Sequence, residues 1–165
     1  MIEKQELIAA KDARGLEKLA VELSNRGDVS EAIICAHSAL EFEYVPSRMM
    51  FLGKILSNAE KSEEATFWLE KGYKQDPSDK NLEALLFHLI KTSDLSMIRA
   101  LTPELEPDSP ATMALMGRCH YLIGERETAV EYYERCLNSK SSASQRITAL
   151  NDIAVCHIED ESFDQ

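Results

Sequence analysis

Glycine and proline are scarce, at 6 and 5 of 165 residues. A β-sandwich with many tight turns would want more of both. Basic residues are also a minority, with 18 Lys and Arg against 29 Asp and Glu, so the formal net charge is -11. Binding to a phosphate backbone relies on the opposite field, and no nucleic-acid partner is expected. Long hydrophobic runs are missing. The longest, such as Ala84-Leu85-Leu86-Phe87, are core-sized, well short of the roughly 18–20 apolar residues of a membrane span. No membrane partner is expected either. The start, Met1-Ile2-Glu3-Lys4-Gln5-Glu6, mixes both charge signs, so no secretory signal is expected.

The four cysteines lack the close spacing of a disulfide framework: Cys35, Cys119, Cys136 and Cys156 lie inside apolar helical patterns. They read as reduced, buried thiols of a cytoplasmic protein. Cys35 with His37, Cys119-His120 and Cys156-His157 invite a metal reading, as do Cys136 and His88. Adjacent residues point about 100° apart on a helix, which spoils chelation by the Cys-His pairs, and no metal or other cofactor is expected. No nucleophile elbow, phosphate-cradling glycine loop or HExxH occurs, and the chain is not expected to be an enzyme.

Hydrophobic residues make up 44% and charged residues 28%, which excludes wholesale disorder. The apolar residues recur with helical period: Leu16, Leu19, Leu23; Met49, Leu52, Leu56; Met113, Met116, His120. No segment alternates in the way a strand would, so the fold class is all-α. Breaks at Asn25-Arg26-Gly27-Asp28, Asn58-Ala59-Glu60, Gln75-Asp76-Pro77-Ser78 and Ile123-Gly124-Glu125 separate helices of about a dozen residues.

Those helices repeat. Residues 46–79 read Met49-x2-Leu52-Gly53-x2-Leu56, then Ala65, Leu69 and Pro77. Residues 110–143 read Met113-x2-Met116-Gly117-x2-His120, then Ala129 and Tyr133; residues 13–45 read Leu16-x2-Leu19-Ala20-x2-Leu23, then Ala32 and Ala36. The small residues stand where two helices must approach closely, and the larger ones fill the space between them. Residues 80–109 form an irregular unit with an Asp94 cap and a second helix that must stop before Pro103. From residue 147 a partial fifth unit begins with Leu150, Ile153-Ala154 and His157, and Glu161-Ser162-Phe163 reads as the turn to its partner helix. Either this helix closes the array as a native cap or a longer protein is cut here. Because the spacing continues into that turn, truncation is the expectation, and Ile153, Val155 and Ile158 would then be exposed to self-association or leave the end frayed.

The pattern resembles the tetratricopeptide repeat family, whose repeat is about 34 residues of paired helices. The resemblance covers residues 13 to 163 as about four repeats and a partial fifth, in one solenoid over 1–165. It lacks the family's signature Trp; Trp68 falls outside the pattern. The fold it implies is an α–α superhelix. Its implied function is protein–protein interaction in a groove lined by the first helices. The groove-facing slots would be Arg14, Glu17, Val21 and Ser24, then Ser47, Met50, Lys54 and Ser57. Asn81, Ala84, His88 and Lys91 follow in the irregular unit, Ala111, Ala114, Arg118 and Tyr121 in the fourth, and Thr148, Asn151, Val155 and Ile158 in the last. Arg14, Lys54, Lys91 and Arg118 against Glu17 suggest an acidic protein or peptide segment as partner, with Met50 and Tyr121 as apolar anchors. The carboxylate clamp of chaperone-binding members is not matched, since Glu17, Val21 and Phe51 hold its first positions. A scaffold or adaptor is the leading expectation. An accessory domain of a larger enzyme, such as a glycosyltransferase or methyltransferase, and a secretion-type chaperone remain open beside it.

Overall fold

The computed structural model describes the backbone of residues 2–163 and the side chains of residues 4–158. Ten α-helices account for most of it: α1 (Ile2–Ala9), α2 (Ala13–Arg26), α3 (Val29–Phe42), α4 (Pro46–Asn58), α5 (Ser62–Gln75), α6 (Asp79–Thr92), α7 (Leu95–Leu101), α8 (Pro110–Leu122), α9 (Arg126–Asn138) and α10 (Ala143–Phe163). No strand occurs among the described residues. Consecutive helices pack against each other, the arrangement of an all-α helical-repeat solenoid. The chain divides into two compact units, Met1–His88 and Leu89–Gln165.

Local chemistry sets the helix ends. Asp12 caps α2 by accepting from the Gly15 amide at 2.9 Å, and Asp94 caps α7 by accepting from the Met97 amide at 3.0 Å. Ser109 and Thr112 form a reciprocal capping box around Pro110 at the start of α8, which satisfies amides that have no partner inside the helix. Pro103 ends α7 at Leu101 and leaves a single 3-10 turn, Thr102–Glu104. The turns between paired helices carry left-handed residues at Gly27, Glu60, Ser93 and Gly124, spaced by 33, 33 and 31 residues. That recurrence includes the irregular unit, whose turn at Ser93 keeps the common geometry.

In the first unit Leu16, Ala20, Ala32, Ala36, Leu52, Leu56 and Ala65 are buried together. A Cβ on Gly53 would stand 2.6 Å from Leu69 Cγ, so only glycine lets α4 and α5 approach this closely. The second unit repeats the device: a Cβ on Gly117 would meet Tyr133 Cε1 at 2.6 Å. Both pairs are the small and large signature positions read from the sequence.

Four features differ from the sequence reading. An additional N-terminal helix, α1, packs Leu7 and Ile8 against the first core. Met50 is buried, with its Sδ filling the space beside Gly72. Phe87, grouped by sequence with a core-sized run, is 62% exposed. Residues 161–163, read as a turn, continue α10.

Candidate functional site

The first unit contains a cleft of about 380 Å³ lined by α4 (Lys54, Ser57, Asn58), α5 (Leu69) and α6 (Lys80, Glu83, Ala84, Phe87, His88). Lys54 and Lys80 are exposed at its sides, against the single acid Glu83. The exposed ring of Phe87 and the side chains of Leu69 and Ala84 make part of the wall apolar.

Its inner end is fixed by His88, which is 2% exposed. The Thr66 hydroxyl donates to the Ser62 carbonyl at 2.9 Å, so its oxygen is left to accept from His88 Nε2, 3.0 Å away. His88 Nδ1 lies within hydrogen-bond distance of the Ser57 hydroxyl, at 2.8 Å. Both ring nitrogens thus have hydrogen-bond partners, which is how a polar ring tolerates burial. His88 is a rigid post between α4, α5 and α6.

The second unit has a smaller cleft of about 240 Å³ lined by Ile90, Arg118, Tyr121, Leu122, Tyr133, Asp152 and Val155. Arg118 Nε lies 3.5 Å from Asp152 Oδ2. Burial pushes the Asp152 carboxyl up from its usual range, and the Arg118 guanidinium pulls it partly back. Burial also raises the Tyr133 phenol, with the Asp152 charge adding to it. A more polar cleft of about 640 Å³ lies along Thr102–Asp108, His120, Thr128, Tyr132 and Arg135. There His120 Nδ1 is 2.7 Å from Glu125 and its ring stacks on Tyr132.

Lys54 and His88 therefore share one cleft, and Arg118 and Tyr121 another. Arg14 is exposed on α2, Lys91 on α6 and Asn151 on α10, and none of them lines these clefts. Met50 lies in the core and cannot act as an anchor, because Gly72 opposite it opens a hole that the thioether fills. Glu17, the one groove acid in the sequence reading, lies 3.4 Å from the buried Arg48, which also pairs with Glu43. Sequence reasoning missed Lys80, Glu83 and Phe87. Their common stripe on α6 was available as a signal, with spacings of three and four residues, but Phe87 was absorbed into an apolar run.

All four cysteines are buried. Burial pushes the Cys119 thiol up to about 12 and raises Cys35 and Cys136 as well, so these three stay protonated and poorly nucleophilic at neutral pH. Among the described residues no group of three or more His, Cys, Asp or Glu could hold a metal ion. None of the described helices is long and apolar enough to cross a membrane.

Residues 111–142, which cover α8 and α9 almost entirely, match the family model described as tetratricopeptide repeat. The match spans two of the ten helices, and the packed helices as a set are consistent with the same helix-pair repeat. Such repeats are typically non-catalytic modules of protein–protein interaction. A search of curated proteins finds no match to the chain.

Proposed function

We propose that this protein is a scaffold or adaptor that takes an extended acidic segment of a partner protein in the α4–α6 cleft. The observation that carries the reading is the pair Lys54 and Lys80 flanking an apolar wall that includes the exposed Phe87, in a chain of net charge -11. Charges within about 8 Å dominate at physiological salt, so two cations beside the cleft attract an anionic segment locally despite the acidic surface elsewhere. The apolar wall supplies contact area, and the lysines supply orientation. The free, buried thiols of Cys35, Cys119 and Cys136 support a reducing compartment such as the cytoplasm.

Affinity capture with the whole chain tests this. Partners retained by the native protein should be lost, by more than about tenfold in affinity, when Lys54 and Lys80 are both changed to Glu. Changing the exposed Lys18 and Lys140 to Glu alters net charge equally and should leave capture largely intact. Equal losses in the two double variants would show that the cleft is not the binding site.

A further inference from the structure

An aromatic cluster in the first unit, sharing no residue with the α4–α6 cleft, surrounds a cation of the protein's own. Lys71 on α5 places its Nζ 5.4 Å from the ring centroid of Tyr44, 5.3 Å from that of Phe67 and 5.4 Å from that of Trp68. The rings brace one another edge to face: Phe67 and Trp68 are 5.1 Å apart at 81°, and Tyr44 and Trp68 are 6.4 Å apart at 75°. His37 of α3 supports Trp68 from another side, 6.3 Å away at 79°. Trp68 packs partly against the core, which anchors the cluster, whereas Tyr44 and Phe67 are 55% and 54% exposed. Large rings left this exposed side by side are unusual on a soluble surface and mark an interaction site.

The charges around the cluster are acidic. Glu63 and Glu64 lie one helical turn before Phe67 and Trp68, and Glu41 and Glu43 precede Tyr44 by three residues and one. Glu64 is engaged by Lys61, and Glu43 by Arg48. Glu70, beside Lys71, is engaged by Lys74. Glu41 and Glu63 are exposed and add negative potential near the rings. A negative ring face with acids nearby attracts cations and repels anions. The position of Lys71 shows which chemistry the surface accepts: an alkylammonium, held by the rings.

We propose that Tyr44, Phe67 and Trp68 form a recognition site for a lysine side chain of a basic partner segment, with Lys71 the resident cation that the incoming one displaces. The inference stands apart from the cleft reading. The cleft would take an anionic segment between first helices, whereas this site takes a cationic one on the α3–α5 side. Lys71 sets the threshold for entry, because it both occupies the rings and repels a second cation.

Trp68 is the only tryptophan in the chain, so its fluorescence reports directly on the site. The probe is an end-capped peptide alternating lysine and glycine, titrated into the whole protein at low salt. Lys71→Ala should bind it at least about fivefold more tightly than the native chain, since the resident competitor is gone. Lys74→Ala removes the same charge one position short of a turn away and should change binding by less than about twofold. In the Lys71→Ala background, Phe67→Ala or Tyr44→Ala should weaken binding about tenfold, and the fold should persist because both rings are exposed. The same peptide with acetylated lysines should give no saturable response. Equal gains in the Lys71 and Lys74 variants would reduce the effect to bulk charge and overturn the proposal. Equal binding of the acetylated peptide would overturn it too, by making the rings an apolar docking patch.

Discussion

Asp152 carries a charge that its surroundings do not welcome. Its side chain is 22% exposed, its Oδ2 has no hydrogen-bond partner, and the Arg118 guanidinium opposite is itself 51% exposed. Loss of solvation therefore outweighs the attraction of Arg118, and the carboxyl sits above its ordinary value. The sign of the linkage follows. A carboxyl whose folded-state value is raised binds its proton more tightly when folded than when unfolded. Its ionised form costs stability above the folded value, and that cost disappears as pH falls through the folded value toward the ordinary one. Asp152→Asn should therefore leave the melting temperature at pH 7 unchanged or higher, and the gap from the native chain should close on acidification. A melting temperature that drops at neutral pH and recovers in acid would mean that the Arg118 pair dominates instead. The pair was invisible in the sequence for a simple reason. Arg118 was placed by repeat register as a groove cation, and register assigns a slot to each residue without showing which acid on α10 reaches it.

At the scale of whole elements, the positions that touch within one hairpin were legible. Gly53 against Leu69 and Gly117 against Tyr133 follow from repeat spacing alone, because each pair is separated by the same number of residues and packs with the same geometry. The shortened α7 and its Asp94 cap were legible too, since proline and capping chemistry act locally. The turn at Ser93 was not. Its left-handed backbone lacks the glycine that marks Gly27 and Gly124; the turn at Glu60 lacks it too, but the break at Asn58-Ala59-Glu60 was legible from the end of the apolar pattern. Nor was the full length of α10, where Glu161-Ser162-Phe163 has turn-like composition but continues the helix. That helix exposes Ile147, Leu150, Val155 and Ile158, at 60%, 54%, 43% and 67%, with spacings of three, five and three residues that keep them along one broad flank. Exposed residues of this kind on a terminal repeat helix are the ones through which copies would associate, which makes self-association a testable expectation. Sedimentation should show the mean mass rising with protein concentration, and a variant with Ile147 and Ile158 changed to Glu should remain monomeric at the same concentrations. A native chain that stays monomeric throughout would remove self-association through α10.

For the molecule as a whole, stability in a helical-repeat array is a sum of local terms, because each hairpin is stabilised by its neighbours rather than by a single shared centre. The division into Met1–His88 and Leu89–Gln165, each with its own buried cluster, makes departure from two-state unfolding the expected behaviour. The two glycine contacts provide matched probes, one in each unit. Gly53→Ala drives a methyl to within 2.6 Å of Leu69 Cγ and 3.2 Å of its backbone nitrogen, and Gly117→Ala drives one against the buried ring of Tyr133. Alanine favours helix over glycine by about 1 kcal/mol, whereas forcing an extra methyl into a packed interface costs about 1–3 kcal/mol. The overpacking should prevail at Gly53, where the obstacle includes backbone that cannot rotate away. At Gly117 the loss should be comparable, because three atoms of the buried Tyr133 ring would lie 2.6–2.9 Å from the new methyl and the ring has no room to swing clear. Calorimetry should then resolve a broadened or double transition in the native chain, with Gly53→Ala lowering mainly one component and Gly117→Ala mainly the other. Residue-resolved hydrogen exchange would assign the components, with α4 and α5 losing protection in the first variant and α8 and α9 in the second. A single transition that both variants shift together, with calorimetric and van't Hoff enthalpies equal, would show that the chain unfolds as one cooperative body. The additive picture of the array would then fail.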